Sequence, residues 1–127
     1  MRPQAELRFP PELSTPAFAR AAVAAMASGL PEEVVSDIEL LTTELVTNAL
    51  KHATVSQSEQ IIVRLVLRDG ARVEVIDPGP PFNPRPVRPL SPGYTSGWGL
   101  FIVDTLATRW GVEPEGPGKK VWFEVGP

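Results

Sequence analysis

The sequence of 127 residues contains no cysteine, a single histidine and no apolar run long enough to cross a bilayer. Without cysteine there is no disulfide framework and no thiolate-bound metal, which allows a reducing compartment. The Ala-rich stretch 17–27 is interrupted by Arg20 and is too short for a transmembrane helix. It lies behind Glu6 and Glu12, so it lacks the basic start of a secretory signal. We therefore expect a cytoplasmic protein without membrane contact.

Positive charge is also scarce. Lys and Arg number 12 against 15 Asp and Glu, the net charge is −3, and neither half carries a strongly basic patch. Nucleic-acid binding needs clustered Lys and Arg to neutralise phosphates, so no nucleic-acid partner is expected. The content of 43% hydrophobic and 21% charged residues is typical of a globular protein. The length suits one core, and we expect residues 1–127 to form a single domain.

Proline and glycine are plentiful, and they mark the ends of the predicted elements in the first half of the chain. Leu7–Phe9 alternates before a proline pair and predicts an edge strand. A helix is predicted to open at Ser14-Thr15-Pro16, to run to Ser28 and to stop at Gly29. A second, longer helix is predicted from Pro31 to about His52. Its apolar positions recur at three- and four-residue spacings, at Val34, Ile38, Leu41, Leu45 and Ala49.

The second half of the chain predicts strands around a proline-rich segment. Ile61–Leu67 and Ala71–Ile76 are β-branched runs joined by an Asp-Gly turn. Residues 78–92 include seven prolines, which exclude regular structure through most of that stretch. A third helix is predicted from Leu100 to about Trp110, and a last strand at Val121–Val125. The order α-α-β-β-loop-α-β predicts an α/β (α+β) two-layer sandwich, with helices on one face of a mixed, largely antiparallel sheet.

A polar stripe on the second helix is the first candidate site. Glu44 and Asn48 are four residues apart, so they share a helix face about 6 Å apart along the axis, and Lys51 and His52 continue that face. A carboxylate, an amide and a cation so arranged can hold a hydrated cation and a polyphosphate. The amide oxygen of Asn48 suits Mg²⁺, which takes a few protein oxygens together with phosphate oxygens and water. The spacing alone is more typical of a solvated helix face with a Glu–Lys pattern.

The segment Asp77-Pro-Gly79 is the second candidate. The carboxylate at the end of a strand accepts hydrogen bonds when ionised, so it can pair with the exocyclic amine of adenine and opposes the carbonyl of guanine. Gly79 would let a flat ring approach the backbone. The alternative is an ordinary turn after a strand.

The third candidate is Gly97-Trp-Gly99-Leu100 at the start of a helix, where free N–H groups and the helix dipole favour an anion. The alternative is a plain helix entry with Trp98 in a packing role. Neither a Walker A sequence nor a Gly-x-Gly-x-x-Gly after a strand is present, so the P-loop and Rossmann folds are not indicated.

The three segments, in this order, resemble the boxes of the GHKL ATPase family. Glu44–His52 resembles its N-box, Asp77–Phe82 its first glycine box and Gly97–Asp104 its second. The chain is similar to the short histidine-kinase-like ATPases, including the anti-sigma-factor serine kinases, from about Ser14 to Val125. This resemblance implies the Bergerat-type ATP-binding sandwich, with ATP and Mg²⁺ as cofactors.

The resemblance also implies roles for the residues of the first two boxes. Asn48 would bind Mg²⁺ and through it the triphosphate, and Glu44 would act as general base or position a water. Lys51 would lie near phosphate. Asp77 would bind the adenine amine, with Gly79 beneath the ring.

The remaining implied roles concern the phosphates and the lid. Gly97, Gly99 and Leu100 would close on the phosphates, and residues 80–96 would form the nucleotide lid. The chain departs from the family pattern in three places, the first of which is a lid with few glycines. Pro81 replaces a glycine of the first box, and Lys120 is predicted at the position where many relatives carry a threonine that helps to hold adenine.

Three functions follow from this resemblance. The first is an ATP-dependent serine/threonine protein kinase that binds a sigma factor and phosphorylates an anti-sigma antagonist. The second, motivated by Lys120 and Pro81, is a non-catalytic interaction module that sequesters a partner. The third is a detached histidine-kinase catalytic domain acting on a separate phosphoacceptor, for which His52 inside the N-box is an unsuitable acceptor. The resemblance, together with the edge strand Leu7–Phe9, also suggests a homodimer.

Overall fold

The computed structural model describes residues 5–52, 60–79 and 98–126, which form five strands and three helices. The order along these residues is β-α-α-β-β-α-β-β. The elements are β1 (Ala5–Phe9), α1 (Thr15–Met26), α2 (Glu32–His52), β2 (Ile61–Leu67), β3 (Ala71–Asp77), α3 (Trp98–Leu106), β4 (Arg109–Glu115) and β5 (Gly118–Val125). Within these ranges no helix has the length and apolar character needed to cross a membrane.

The strands form one sheet in the order β1-β2-β3-β5-β4, and each described neighbour pair is antiparallel. The parallel component implied by a mixed sheet is therefore absent from the described strands. The register pairs Ile62 with Ile76 and Asp77 with Lys119. The end of β3 therefore lies at the end of the sheet where β2 begins.

The core lies between one face of the sheet and the helices. Alternate residues of the three central strands are buried, among them Ile61, Val63, Leu65, Val73, Val75, Val121 and Phe123. From α2 the predicted positions Ile38, Leu41, Leu45 and Ala49 are buried, and Val34 packs partly buried against them. This confirms both the helical periodicity and the two-layer α+β architecture.

The other face of the sheet carries charges of both signs. Arg72 contacts Glu74 and Glu124, and its guanidinium lies 4.1 Å from the ring centroid of Trp122. Arg64 pairs with Glu6 at 2.9 Å. Partly exposed ion pairs contribute less to stability than a large buried apolar area does, so the helix-covered face supplies most of the folding energy.

Two helix ends differ from the prediction. α1 ends at Met26, with Ala27 as its C-cap, rather than reaching Ser28. α3 ends at Leu106, and Trp110 belongs to β4, a strand that the sequence did not predict. The chain turns into the sheet at once, because the Thr108 amide donates to the Glu124 carbonyl at 2.7 Å.

Gly111 fits the pairing of β4 with β5, although the sequence of β4 also fits a helix continuation. A Cβ at this position would lie 3.0 Å from the indole nitrogen of Trp122. The glycine therefore leaves room for a cross-strand aromatic side chain, a requirement that helical periodicity does not reveal. Pro114 is tolerated because β4 is an edge strand.

Candidate nucleotide site

The polar stripe of α2 lies beside the part of the helix that enters the core. Leu45 and Ala49 are buried, whereas Glu44 and Asn48 are partly buried and Lys51 is exposed. Partial burial gives these polar groups a defined position while keeping them accessible to a ligand. The backbone of α2 continues to His52, as predicted.

The carboxyl of Glu44 has a perturbed pKa. Burial raises the pKa of its carboxyl above the ordinary 4.5, and the positive charge of Lys51 opposes that rise. A carboxylate with a raised pKa accepts a proton more readily near neutral pH. The interaction also shows that the charges of Glu44 and Lys51 act on each other along the same helix.

Asp77 is the last residue of β3 and is buried. Its Oδ1 accepts hydrogen bonds from the Gly79 amide at 2.8 Å and from the Lys119 ammonium at 2.7 Å. Its Oδ2 is buried without a hydrogen-bond partner among the described residues. Buried polar atoms are nearly always paired, so this oxygen is available to accept a hydrogen bond from a donor outside the described residues.

Lys119, not Lys120, is the lysine beside Asp77, which corrects the sequence prediction. Adjacent residues of a strand point to opposite faces. The ammonium of Lys120 therefore lies on the charged outer face, 3.3 Å from Glu113 and 3.7 Å from Glu74. The sequence signal for Lys119 was the alternation of β5, with Val121 and Phe123 on the core side.

Gly118 supports this site and was not identified from the sequence, where it was part of a turn. A Cβ at Gly118 would lie 2.0 Å from the carbonyl oxygen of Asp77 and 2.8 Å from the Cα of Pro78. The backbones of β5 and β3 therefore approach closely where the carboxylate of Asp77 is placed. Only glycine permits this contact without a backbone shift.

The third motif is only partly within the described residues. Gly99 and Leu100 lie in the first turn of α3, and Leu100 is partly buried. Gly97, the lid segment 80–96 and its Pro81 lie outside the described residues. In the ranges 5–52, 60–79 and 98–126 no group of three acidic, His or Cys side chains is placed to hold a metal ion.

The elements that carry the three motifs pack against one another. α2, with Glu44 and Asn48, contacts β3, which ends in Asp77, and it also contacts α3, which begins beside Gly99. Motifs from three separate parts of the chain are thus on contacting elements.

The sequence matches known proteins over most of its length. The family described as histidine kinase-like ATPase domain matches residues 9–125. An uncharacterized protein of Streptomyces coelicolor is 40% identical over 84 residues, which are 65% of this chain and 78% of that protein. The anti-sigma F factor of Clostridium acetobutylicum is 29% identical over 127 residues and covers 91% of this chain and 88% of the factor.

Two solved structures share the fold. The RsbU and RsbW domains of a Mycobacterium tuberculosis protein match 98% of this chain with a TM-score of 0.71 and 20% identity. The histidine kinase domain of a blue-light activated kinase from Erythrobacter litoralis matches 92% with a TM-score of 0.57 and 22% identity. The chain spans 33% and 61% of those two solved chains, respectively. At these identities the likeness establishes the fold.

Proposed function

We propose that this chain, which belongs to the histidine kinase-like ATPase domain family, is an ATP-binding regulatory protein with its nucleotide site across α2, β3 and α3. The observation that carries this proposal is the buried, unpartnered Oδ2 of Asp77. An ionised carboxylate only accepts hydrogen bonds, and the exocyclic amine of adenine donates them. The chemistry of this atom therefore fits an adenine base, with Gly79 beneath the ring.

The triphosphate end is assigned to α2 and α3. In this proposal the side-chain oxygen of Asn48 binds Mg²⁺, Lys51 lies near phosphate, and Gly97, Gly99 and Leu100 close on the phosphates. Mg²⁺ neutralises phosphate charge and takes its other ligands from phosphate oxygens and water, so one protein oxygen is sufficient. The partial positive charge of the α3 N-terminus adds to this attraction.

For catalysis we propose serine/threonine protein kinase activity with Glu44 as general base. Bound ATP would supply the phosphoryl group. The oxygen of the acceptor hydroxyl would bond to the γ-phosphorus while the bond from that phosphorus to ADP breaks. Glu44 would take the proton that the hydroxyl loses. Phosphoryl transfer depends mainly on positioning and charge neutralisation, so few catalytic groups are needed. The raised pKa of the Glu44 carboxyl supports this role.

For partners we propose a sigma factor, which the chain would bind, and an anti-sigma antagonist, which it would phosphorylate. The support is the match to the anti-sigma F factor over 88% of that protein's length. In the same proposal residues 1–127 form one domain that acts in the cytoplasm as a homodimer.

A second candidate function is a non-catalytic module that sequesters a regulatory partner. Lys119 favours it, because its ammonium already occupies Oδ1 of Asp77 in the part of the site assigned to adenine. The Glu44→Ala variant separates the two candidates. Loss of the regulatory effect with ATP binding intact indicates catalysis, whereas an unchanged effect indicates sequestration.

Nucleotide binding is tested by calorimetric titration with Mg²⁺-ATP, Mg²⁺-ADP and Mg²⁺-GTP. We expect adenine-selective binding that disappears in Asp77→Asn. The side-chain oxygen of the asparagine would stay with the donors of Gly79 and Lys119, so its NH₂ group would face the amine of adenine, which needs an acceptor. Loss of one buried charge-assisted hydrogen bond corresponds to about 10-fold or more in affinity. Equal binding of GTP by the natural protein contradicts the role of Asp77.

Kinase activity is tested with Mg²⁺-ATP and the candidate antagonists encoded by the same genome. We expect an acid-stable phosphoserine or phosphothreonine on one antagonist. In Glu44→Ala the rate of phosphorylation should fall by at least about 100-fold. An acid-labile product would instead indicate a detached histidine-kinase domain. If none of the antagonists is phosphorylated, the kinase proposal is wrong.

A further inference from the structure

Asp77 and Lys119 form a buried ion pair in which Lys119 donates a hydrogen bond to only one of the two carboxylate oxygens of Asp77. The side chains are 1% and 4% exposed, and their charged atoms lie 2.7 Å apart. Burying two charges is repaid only when the geometry is good and the remaining polar atoms are satisfied. Here Oδ2 of Asp77 has no partner among the described residues. An unsatisfied buried acceptor costs about 1–3 kcal/mol, so this oxygen favours a donor from outside the described residues.

The two oxygens of the Asp77 carboxylate therefore differ. Oδ1 is held from two directions, by the ammonium of Lys119 on β5 and by the amide of Gly79 in the following turn. Two hydrogen bonds on one oxygen fix the orientation of the group. Oδ2 is consequently kept at a constant position as an acceptor.

We propose that Lys119 is a specificity-determining residue that positions Asp77 so that Oδ2 accepts the 6-amino group of adenine and rejects a 6-carbonyl oxygen. This inference rests on the proposed ATP-binding function. A carbonyl at the same place would bring one acceptor against another and leave both unpaired in a buried site. Sites built on such buried hydrogen bonds can bind the correct ligand about 10⁴-fold more tightly than an analogue without the matching group.

Removal of the cation changes what the carboxyl can do. Without Lys119 the carboxylate keeps only the hydrogen bond from the Gly79 amide, so its orientation is less constrained. A less fixed Oδ2 is a poorer acceptor for the amine of adenine. The preference for the amine should therefore fall. Lys119 is thus a positioning residue that acts on the base through Asp77.

The test compares Mg²⁺-ATP with Mg²⁺-ITP, in which a carbonyl replaces the 6-amino group. Dissociation constants of both are measured calorimetrically on one preparation each of the natural protein and Lys119→Met. We expect the natural protein to bind ITP at least about 100-fold more weakly than ATP, and the preference to fall at least about 10-fold in Lys119→Met. The ratio reports selectivity even if part of the variant is unfolded, because both nucleotides titrate the same folded fraction.

The matched control is Lys120→Met, which removes the neighbouring lysine from the outer face of the same strand. Its preference for ATP should equal that of the natural protein. Lys119→Gln is a second variant for the case that Lys119→Met does not fold, because its amide can still donate to Asp77. We expect its preference to lie between those of the natural protein and Lys119→Met.

The outcomes separate the inference from the proposed function. If ATP binds and Lys119→Met keeps the full preference for ATP over ITP, Lys119 does not set specificity, while the proposed ATP binding stands. The same conclusion follows from Lys119→Gln if that is the only one of the two variants that folds. An equal fall in Lys120→Met also overturns the inference. If the natural protein binds neither nucleotide, both the inference and the proposed function are wrong.

Discussion

At the scale of single residues, Glu44 combines a proposed catalytic role with a cost to the fold. Because burial raises the pKa of its carboxyl, the folded protein holds the proton more tightly than the unfolded chain does. Below the ordinary pKa of 4.5 the group is protonated in both states and imposes no penalty. As the pH rises through the raised pKa, the folded state loses stability relative to the unfolded state.

The Glu44→Gln variant should therefore be more stable than the natural protein at pH 7. The gain in the free energy of unfolding should be at most about 1 kcal/mol, because the side chain is only partly buried and its charge is screened by solvent. Urea denaturation at pH 7 and at pH 4 measures it, and the gain should vanish at pH 4. Glu39→Gln, elsewhere on α2, controls for the loss of one negative charge. A gain that is equal at both pH values would contradict the assigned cause.

At the scale of elements, the close approach of β5 to β3 is what places Asp77. Gly118 allows it, since a Cβ there would overlap the Asp77 carbonyl oxygen and approach Pro78. The atoms it would meet are backbone atoms, which cannot move aside as a flexible side chain can. We therefore expect a substitution at this position to act on the proposed nucleotide site and on stability together.

We expect Gly118→Ala to lower the free energy of unfolding by about 3 kcal/mol and to abolish ATP binding. Thermal denaturation and calorimetry on the same preparation measure the two effects. Gly29→Ala is the matched control, because a Cβ there meets nothing within 4 Å. That control should keep ATP binding and change stability by less than about 1 kcal/mol. Normal ATP binding by folded Gly118→Ala would show that the close approach does not place Asp77.

The elements also show which parts of the fold the sequence could predict. α2 and β2 were predicted almost to their ends, because local signals define them: an acidic first turn after Pro31, and a β-branched run before an Asp-Gly turn. β4 was missed, because its apolar residues fit a helix continuation and only its pairing with β5 decides for a strand.

Within the candidate site the same limit separates what was found from what was missed. Glu44, Asn48 and Asp77 stand in recognisable local motifs. Lys119 and Gly118 act through strands that are distant in sequence, since Lys119 reaches Asp77 across 42 positions. The register between distant strands depends on the packing of the whole sheet. The sequence motif therefore predicted Lys120 beside the base, whereas its neighbour Lys119 is the lysine that contacts Asp77.

At the scale of the whole molecule, the sheet has two edges, and β1 is one of them. β1 pairs with β2 on one side only among the described strands. A free strand edge offers unpaired backbone groups to another chain, which supports the proposed homodimer. Light scattering over a series of concentrations should give twice the mass of one chain. A monomer at the highest concentration would contradict this proposal.

The position of β5 has a consequence for the timing of folding during synthesis. It is the last described strand in the chain, yet it lies inside the sheet between β3 and β4. A nascent chain that has not yet emerged through Val125 leaves β4 without β5, leaves β3 paired with β2 alone, and leaves Asp77 without its cation. Such distant pairings form late and slowly. The ribosome must therefore release the chain through β5 before the proposed nucleotide site is complete, and we expect a chain that ends before β5 to bind no nucleotide.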